Sequence, residues 1–148
     1  MSLNHLTGVL TGGQAFVPNV ALQKTIVSPS TGATTLLASQ SGSLIPLSTA
    51  GAGMAITLPA TATSAGITYD FVLDNSTAGA NCTIASAEAN KLVGNLIVNA
   101  AKVAMTTNTT LTIVSGTATK GDRILIQCTG NFWHVFGIAQ AAGAITVA

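Results

Sequence analysis

The sequence predicts an all-β fold, a jelly-roll-like sandwich or barrel behind an extended N-terminal arm. Short runs rich in Val, Ile, Leu, Thr and aromatic residues recur about every 8 to 12 residues, with clusters of Gly, Ser, Asn and Pro between them, which is the spacing of strands and turns. No stretch keeps a helical period for the length of an ordinary helix; the nearest, Ser86–Asn95 (SAEANKLVGN), suffices for a single turn. Thr alternates with aliphatic residues throughout, and a β-branched polar side chain suits the solvent face of a strand. About eight such strands in two sheets would make a jelly roll. The 148 residues suit one domain around one core. We assign residues 1–19 to the arm and 20–148 to a single β-sandwich.

In the arm, Gly8, Gly12, Gly13 and Pro18 stand among isolated apolar residues, and neither strand nor helix period is kept. Leu10, Phe16 and Val17 give it something to bury against a neighbouring subunit; the alternative is a frayed chain end. Candidate strands then follow at Val20–Val27, Thr34–Gln40 and Ser43–Leu47, divided by SPSTGA and SGS, and at Met54–Leu58, which Pro59 closes. Ile67–Leu73 sets Ile67, Tyr69, Phe71 and Leu73 against Thr68, Asp70 and Val72, a strand with one inward face. After the polar turn DNSTAGAN come Cys82–Ala85, Leu96–Val98, Val103–Met105 and Thr110–Val114.

The segment Lys120–Gly137 carries the clearest strand signals and the single Trp. Arg123–Cys128 alternates Ile124, Ile126 and Cys128 with Arg123, Leu125 and Gln127; Thr129–Asn131 turns; Phe132–Ile138 returns as the second arm of a hairpin. Trp133, Val135 and Gly137 share one face of the return strand and Phe132, His134, Phe136 and Ile138 the other. Apolar bulk on both faces predicts a strand buried on two sides. The expected core is Tyr69, Phe71, Ile124, Ile126, Trp133 and Val135. Ala144–Val147 would add a last edge strand.

Composition narrows the function. Only 6% of residues are charged, against about 25% in ordinary globular chains, while 48% are apolar. A surface built from Thr, Ser, Asn, Ala and Gly suits a protein covered by copies of itself or by a larger assembly, and a homotrimer or other ring is expected; the plainer alternative is a neutral, merely soluble β domain. Net charge is +1, and Lys24, Lys91, Lys102, Lys120 and Arg123 are scattered, so no footprint for nucleic acid exists in the sequence. The apolar runs are too short for a membrane helix, and the first residues lack a secretory pattern, so assembly inside a cell is expected. Cys82 and Cys128 lie in strand-like runs and read as buried thiols in preference to a disulfide.

No reactive constellation is visible. Asp70 and Asp74 point the same way along a strand, but Asp74 precedes Asn75 and Ser76 at a turn, where an acid serves as a local backbone acceptor. His5 and His134 have no Cys, His or carboxylate at ligand spacing, so neither a metal nor a cofactor is expected. No G-x-S-x-G elbow and no phosphate loop occurs, and the expectation is a protein that is not an enzyme. Sequons at Asn75, Asn81 and Asn108 are accounted for by a chain rich in Asn and Thr.

LPATATSAGITYDFVLDN, the TI of Cys82–Ile84 and GDRILIQCTGNFWHVFG together resemble β-rich structural proteins of tailed bacteriophages. In those proteins an LP turn, a G-x-x-Y-x-F strand, a TI strand and a closing hairpin of the form G-D-x-x-x-x-x-C/S-x-G-x-W-x-V recur in that order. The similarity runs from Ile56 to Ile138. It implies a trimeric virion protein without catalytic residues. Small size and the arm favour a decoration (cement) protein, assembled in the host cytoplasm and bound to the major capsid protein on the head exterior. A tail fibre, spike or receptor-binding module is the alternative.

Overall fold

A computed structural model describes residues 24–148 and, before them, the strand backbone of β1 (Val9–Leu10) and β2 (Gln14–Ala15). These two strands pair antiparallel, Val9 opposite Ala15 and Leu10 opposite Gln14, where the arm was expected to hold no strand. Phe16, Val17 and the side chain of Leu10 lie outside the described residues.

The rest is the expected all-β sandwich, with two open sheets and no closed barrel. The strands are β3 (Gly32–Thr35), β4 (Leu44–Ser48), β5 (Met54–Leu58), β6 (Thr68–Asn75), β7 (Cys82–Ser86), β8 (Leu92–Val98), β9 (Ala101–Asn108), β10 (Thr110–Ile113), β11 (Arg123–Cys128), β12 (Trp133–Ala139) and β13 (Ile145–Val147). One sheet has the order β13-β10-β7-β5-β3 and the other β4-β6-β11-β12-β8-β9. From β3 to β8 the chain steps from one sheet to the other at every strand. That winding makes β3–β5, β5–β7 and β4–β6 parallel pairs. The hairpin β11–β12 is wedged between β6 and β8, antiparallel to β6 on one side and parallel to β8 on the other. The layering is that of a two-sheet β-sandwich, and the parallel pairs give it a connectivity of its own.

Inward residues stand in cross-strand rows. Ile45, Phe71, Ile124, Gly137 and Leu96 form one row across the six-stranded sheet, and Tyr69, Ile126, Val135 and Gly94 another. Ile56, Ile84 and Leu111 face them from the five-stranded sheet. Tyr69, Phe71, Ile124, Ile126, Trp133 and Val135 are all buried. Trp133 packs 5.8 Å from Tyr69 between ring centroids, and its ring N–H donates to the Pro59 carbonyl at 3.3 Å. The Tyr69 hydroxyl donates to the Leu37 carbonyl at 2.8 Å, and burial, followed by the charge of Cys128, pushes its pKa up to about 12. Both thiols are free and buried; the Cys82 Sγ–H donates to the Ser48 carbonyl at 3.0 Å, and burial raises its pKa.

Four segments differ from the sequence reading. Among the described residues of Val20–Val27 only Ile26 makes a β-bridge, to Leu44. Thr34–Gln40 is strand only to Thr35, because the Gln40 side chain accepts the Leu37 N–H at 2.7 Å and a short 3-10 turn follows at Ala38–Gln40. In Ser86–Asn95 the Glu88 carboxylate is drawn to the Thr61 N–H at 3.1 Å, and Leu92–Asn95 belongs to β8. The fourth is the return strand of the hairpin. β12 is buried on one face only, since Phe136 and Ile138 are 52% and 51% exposed.

Candidate functional site

The outer face of the six-stranded sheet is the most unusual surface among the described residues. Strand alternation puts Leu44, Asp70, Leu125, Phe136, Asn95 and Ala104 in one cross-strand row. The next row is Pro46, Val72, Arg123, Ile138, Ile97 and Lys102. Apolar side chains thus hold most positions of a face that no described element covers. Leu125, Phe136 and Ile138 are each about half exposed. With Arg123 they line an open groove of about 300 Å3. A second groove of about 330 Å3, lined by Gly94, Asn95, Leu125, Gln127, His134, Val135 and Phe136, shares Leu125 and Phe136 with the first. Soluble monomers rarely leave a large contiguous apolar patch open, and such patches mark contact surfaces.

One margin of this face is held by charge. Asp70 belongs to the outer row, yet it is buried because two cations close over it. Arg123, two residues along the neighbouring strand from Leu125 opposite it, grips it with two prongs: Nε donates to Oδ1 at 2.7 Å and Nη2 donates to Oδ2. Lys24 Nζ donates to Oδ2 at 2.5 Å. The Arg123 hydrogen bonds hold the Asp70 carboxyl below the usual carboxylate range, burial opposing them and Lys24 adding to them. Lys24 and Arg123 are themselves 50% and 59% exposed, so solvent screening trims the gain.

This clasp makes a pH-dependent prediction. A depressed folded pKa means the stabilisation is complete above the unfolded Asp value, about 4, and is lost as pH falls through the lower folded value. Asp70→Asn is expected to cost about 1 to 3 kcal/mol at pH 7, and the gap between wild type and variant should close in thermal melts below pH 4. A gap that is the same at pH 7 and pH 2 would contradict the ion-pair account.

The other sequence candidates are scattered. Asp74 is exposed and 3.9 Å from Lys120, and the local turn acceptor is Asn75, whose Oδ1 accepts the Thr77 N–H at 3.0 Å. His134 is exposed on the outer face, with Nε2 3.3 Å from the Thr129 hydroxyl. Lys91 Nζ lies 5.3 Å over the Phe132 ring, a cation–π contact at the rim. Among the described residues no His, Cys, Asp or Glu cluster could hold a metal ion, and no helix is long and apolar enough to cross a membrane. Sequence reasoning named Leu125, Phe136 and Ile138 but sent the last two inward. The signal for the outer face was there in β12, where both parities are apolar, and a half-covered sheet satisfies that pattern as well as a fully covered one.

No protein-family model matches this chain, and neither the curated proteins nor the solved structures contain a match to it.

Proposed function

We propose that this chain is a structural subunit of a larger assembly, acting by contact and not by catalysis. The observation that carries the reading is the uncovered apolar face around Leu125, Phe136 and Ile138 in a chain of which only 6% is charged. Burying such side chains contributes roughly 25 cal/mol for each Å2 of apolar surface removed from water, so a partner on this face is favoured over solvent. The finer reading follows from the resemblance to tailed-phage structural proteins: a homotrimeric decoration protein on the capsid exterior. A decoration subunit bridges neighbouring capsid proteins at many equivalent sites, and individually modest contacts then add through multivalency.

Mass spectrometry of purified particles from the phage that encodes this chain, with antibody labelling in the electron microscope, tests the reading. The expected result is many copies per particle and label over the head. Label confined to the tail would move the assignment to a fibre or receptor-binding module. A chain absent from particles, or one that turns over substrates in a hydrolase screen, would overturn it.

A further inference from the structure

Twenty-three residues precede Lys24, and they contain no Asp, Glu, Lys or Arg. They do contain Leu3, Leu6, Val9, Leu10, Phe16, Val17, Val20 and Leu22. Their point of departure from the sandwich is fixed. Lys24 is clasped by Asp70 on the outer face, and Thr25–Val27 runs parallel to the edge strand β4: the Leu44 N–H donates to the Thr25 carbonyl at 2.9 Å and the Val27 N–H to the Leu44 carbonyl at 3.0 Å. Because the bridge is parallel, the chain traced backward from Ile26 leaves past the Ser43 end of β4, away from the row that holds Arg123 and Ile138. At Thr25–Val27 the chain traced backward therefore heads off that end of the sheet. With β1 and β2 paired, the eight residues 16–23 can still span about 27 Å, and six strands span about 24 Å, so a neighbouring sandwich is within range.

From this departure, length and composition we infer that residues 1–23 of one copy lie in the Leu125–Phe136–Ile138 groove of a neighbouring copy. The inference rests on the assembly-subunit reading above and names the occupant of its contact surface. Such a contact is heterologous, each subunit giving its N-terminal segment and receiving another's, and repetition of it closes a ring when the rotation between copies completes a circle. The segment carries no Asp, Glu, Lys or Arg, and the one charged residue lining the groove, Arg123, is already paired with Asp70, so contact strands no charge.

The test is complementation between two full-length variants. Phe16→Asp spoils the segment and leaves the groove; Phe136→Asp spoils the groove and leaves the segment. Wild type at low micromolar concentration should sediment as a closed oligomer and each variant alone as a monomer, with β-sheet circular dichroism unchanged. An equimolar mixture should form a one-to-one dimer and stop there, because only one competent segment and one competent groove remain. A mixture that stays monomeric would overturn the inference, as would a wild-type monomer.

A second measurement does not depend on either variant folding. A benzophenone amino acid at position 16, in a mixture of light and isotopically heavy chains, should cross-link to the peptide 123–138 and give mixed light–heavy pairs. Pairs formed only within one chain would show that the segment covers its own sheet, and pairs to any other peptide would remove the groove as its seat. Both experiments use the purified chain alone. A ring that forms here while particles lack the protein would sink the virion reading and leave this inference standing.

Discussion

Trp133→Ala is expected to destabilise the protein by about 3 to 5 kcal/mol, the cost of removing a large aromatic side chain from a packed core. The ring is fully buried and stacks beside Tyr69 at 5.8 Å. Truncation would leave a cavity against the buried Tyr69 and Leu92 positions and would strip the Pro59 carbonyl of the indole N–H. Position 133 also opens β12, opposite Cys128 on one side and Leu92 on the other, so the cavity would lie between middle strands of the six-stranded sheet, at one end of them. Chemical denaturation with tryptophan-independent detection, such as far-ultraviolet circular dichroism, measures the loss. A change below about 1 kcal/mol, the size seen for surface substitutions, would contradict the core position. Leu37→Ala, at a side chain 59% exposed that lines neither groove, serves as the contrast and should stay near that surface value.

Gly94→Ala should be at least as damaging. Gly94 has φ of +146°, a conformation that side chains other than hydrogen rarely adopt. It faces Val135 across the parallel β8–β12 pair, where an added Cβ would drive into the Val135 carbonyl oxygen and sit 2.9 Å from the Val135 nitrogen. The obstacle is backbone inside the central sheet, so it has no flexible end that can swing aside. The ladder between β8 and β9 also shifts register between Leu92 and Gly94, and the irregularity is what allows glycine's backbone angles in mid-strand. A loss above about 4 kcal/mol, or a chain recovered only in the insoluble fraction, is expected. Gly116→Ala is the control: φ there is also positive, at +77°, but the space around it is open, and a cost near 1 kcal/mol follows. Equal melting temperatures for the two variants would mean that β8 does not pack against β12 as described.

The parts of the fold legible in the sequence were those governed by local alternation. Met54–Leu58 and Arg123–Cys128 coincide with strands end for end, and Tyr69, Phe71 and Trp133 point inward together with the residues of their own parity. Alternation, however, states which residues share a face and not what lies opposite that face. This is why Phe136 and Ile138 were sent into a second buried layer that does not exist among the described residues. Parallel pairing was equally hidden, because β3, β5 and β7 meet only after the chain has crossed to the other sheet and returned. The Asp70 clasp was hidden for the same reason. Lys24 and Arg123 lie 46 and 53 residues away in sequence, and only the assembled sheet brings them to one carboxylate. Gly94 falls in Ser86–Asn95, the one patch read as a helical turn, although the strand it belongs to begins two residues before it.

The wedge position of β11–β12 has a consequence for how the chain must come to its final state. Until residue 139 has been synthesised, the six-stranded sheet can exist only as two separate pieces, β4 with β6 and β8 with β9, each with an unpaired edge facing the other. At roughly 5 to 20 residues per second, translation leaves β6 in that condition for several seconds. The open edge of β6 carries the backbone around Tyr69 and Phe71, an apolar template that another nascent chain could extend. The hairpin closes the gap by pairing with both pieces at once. Because its two strands are local to each other, joined by a four-residue turn at Thr129–Phe132, it can form ahead of docking and insert as a preformed unit. The hairpin thus converts two sticky half-sheets into one, and molecules delayed at that step are the ones exposed to aggregation.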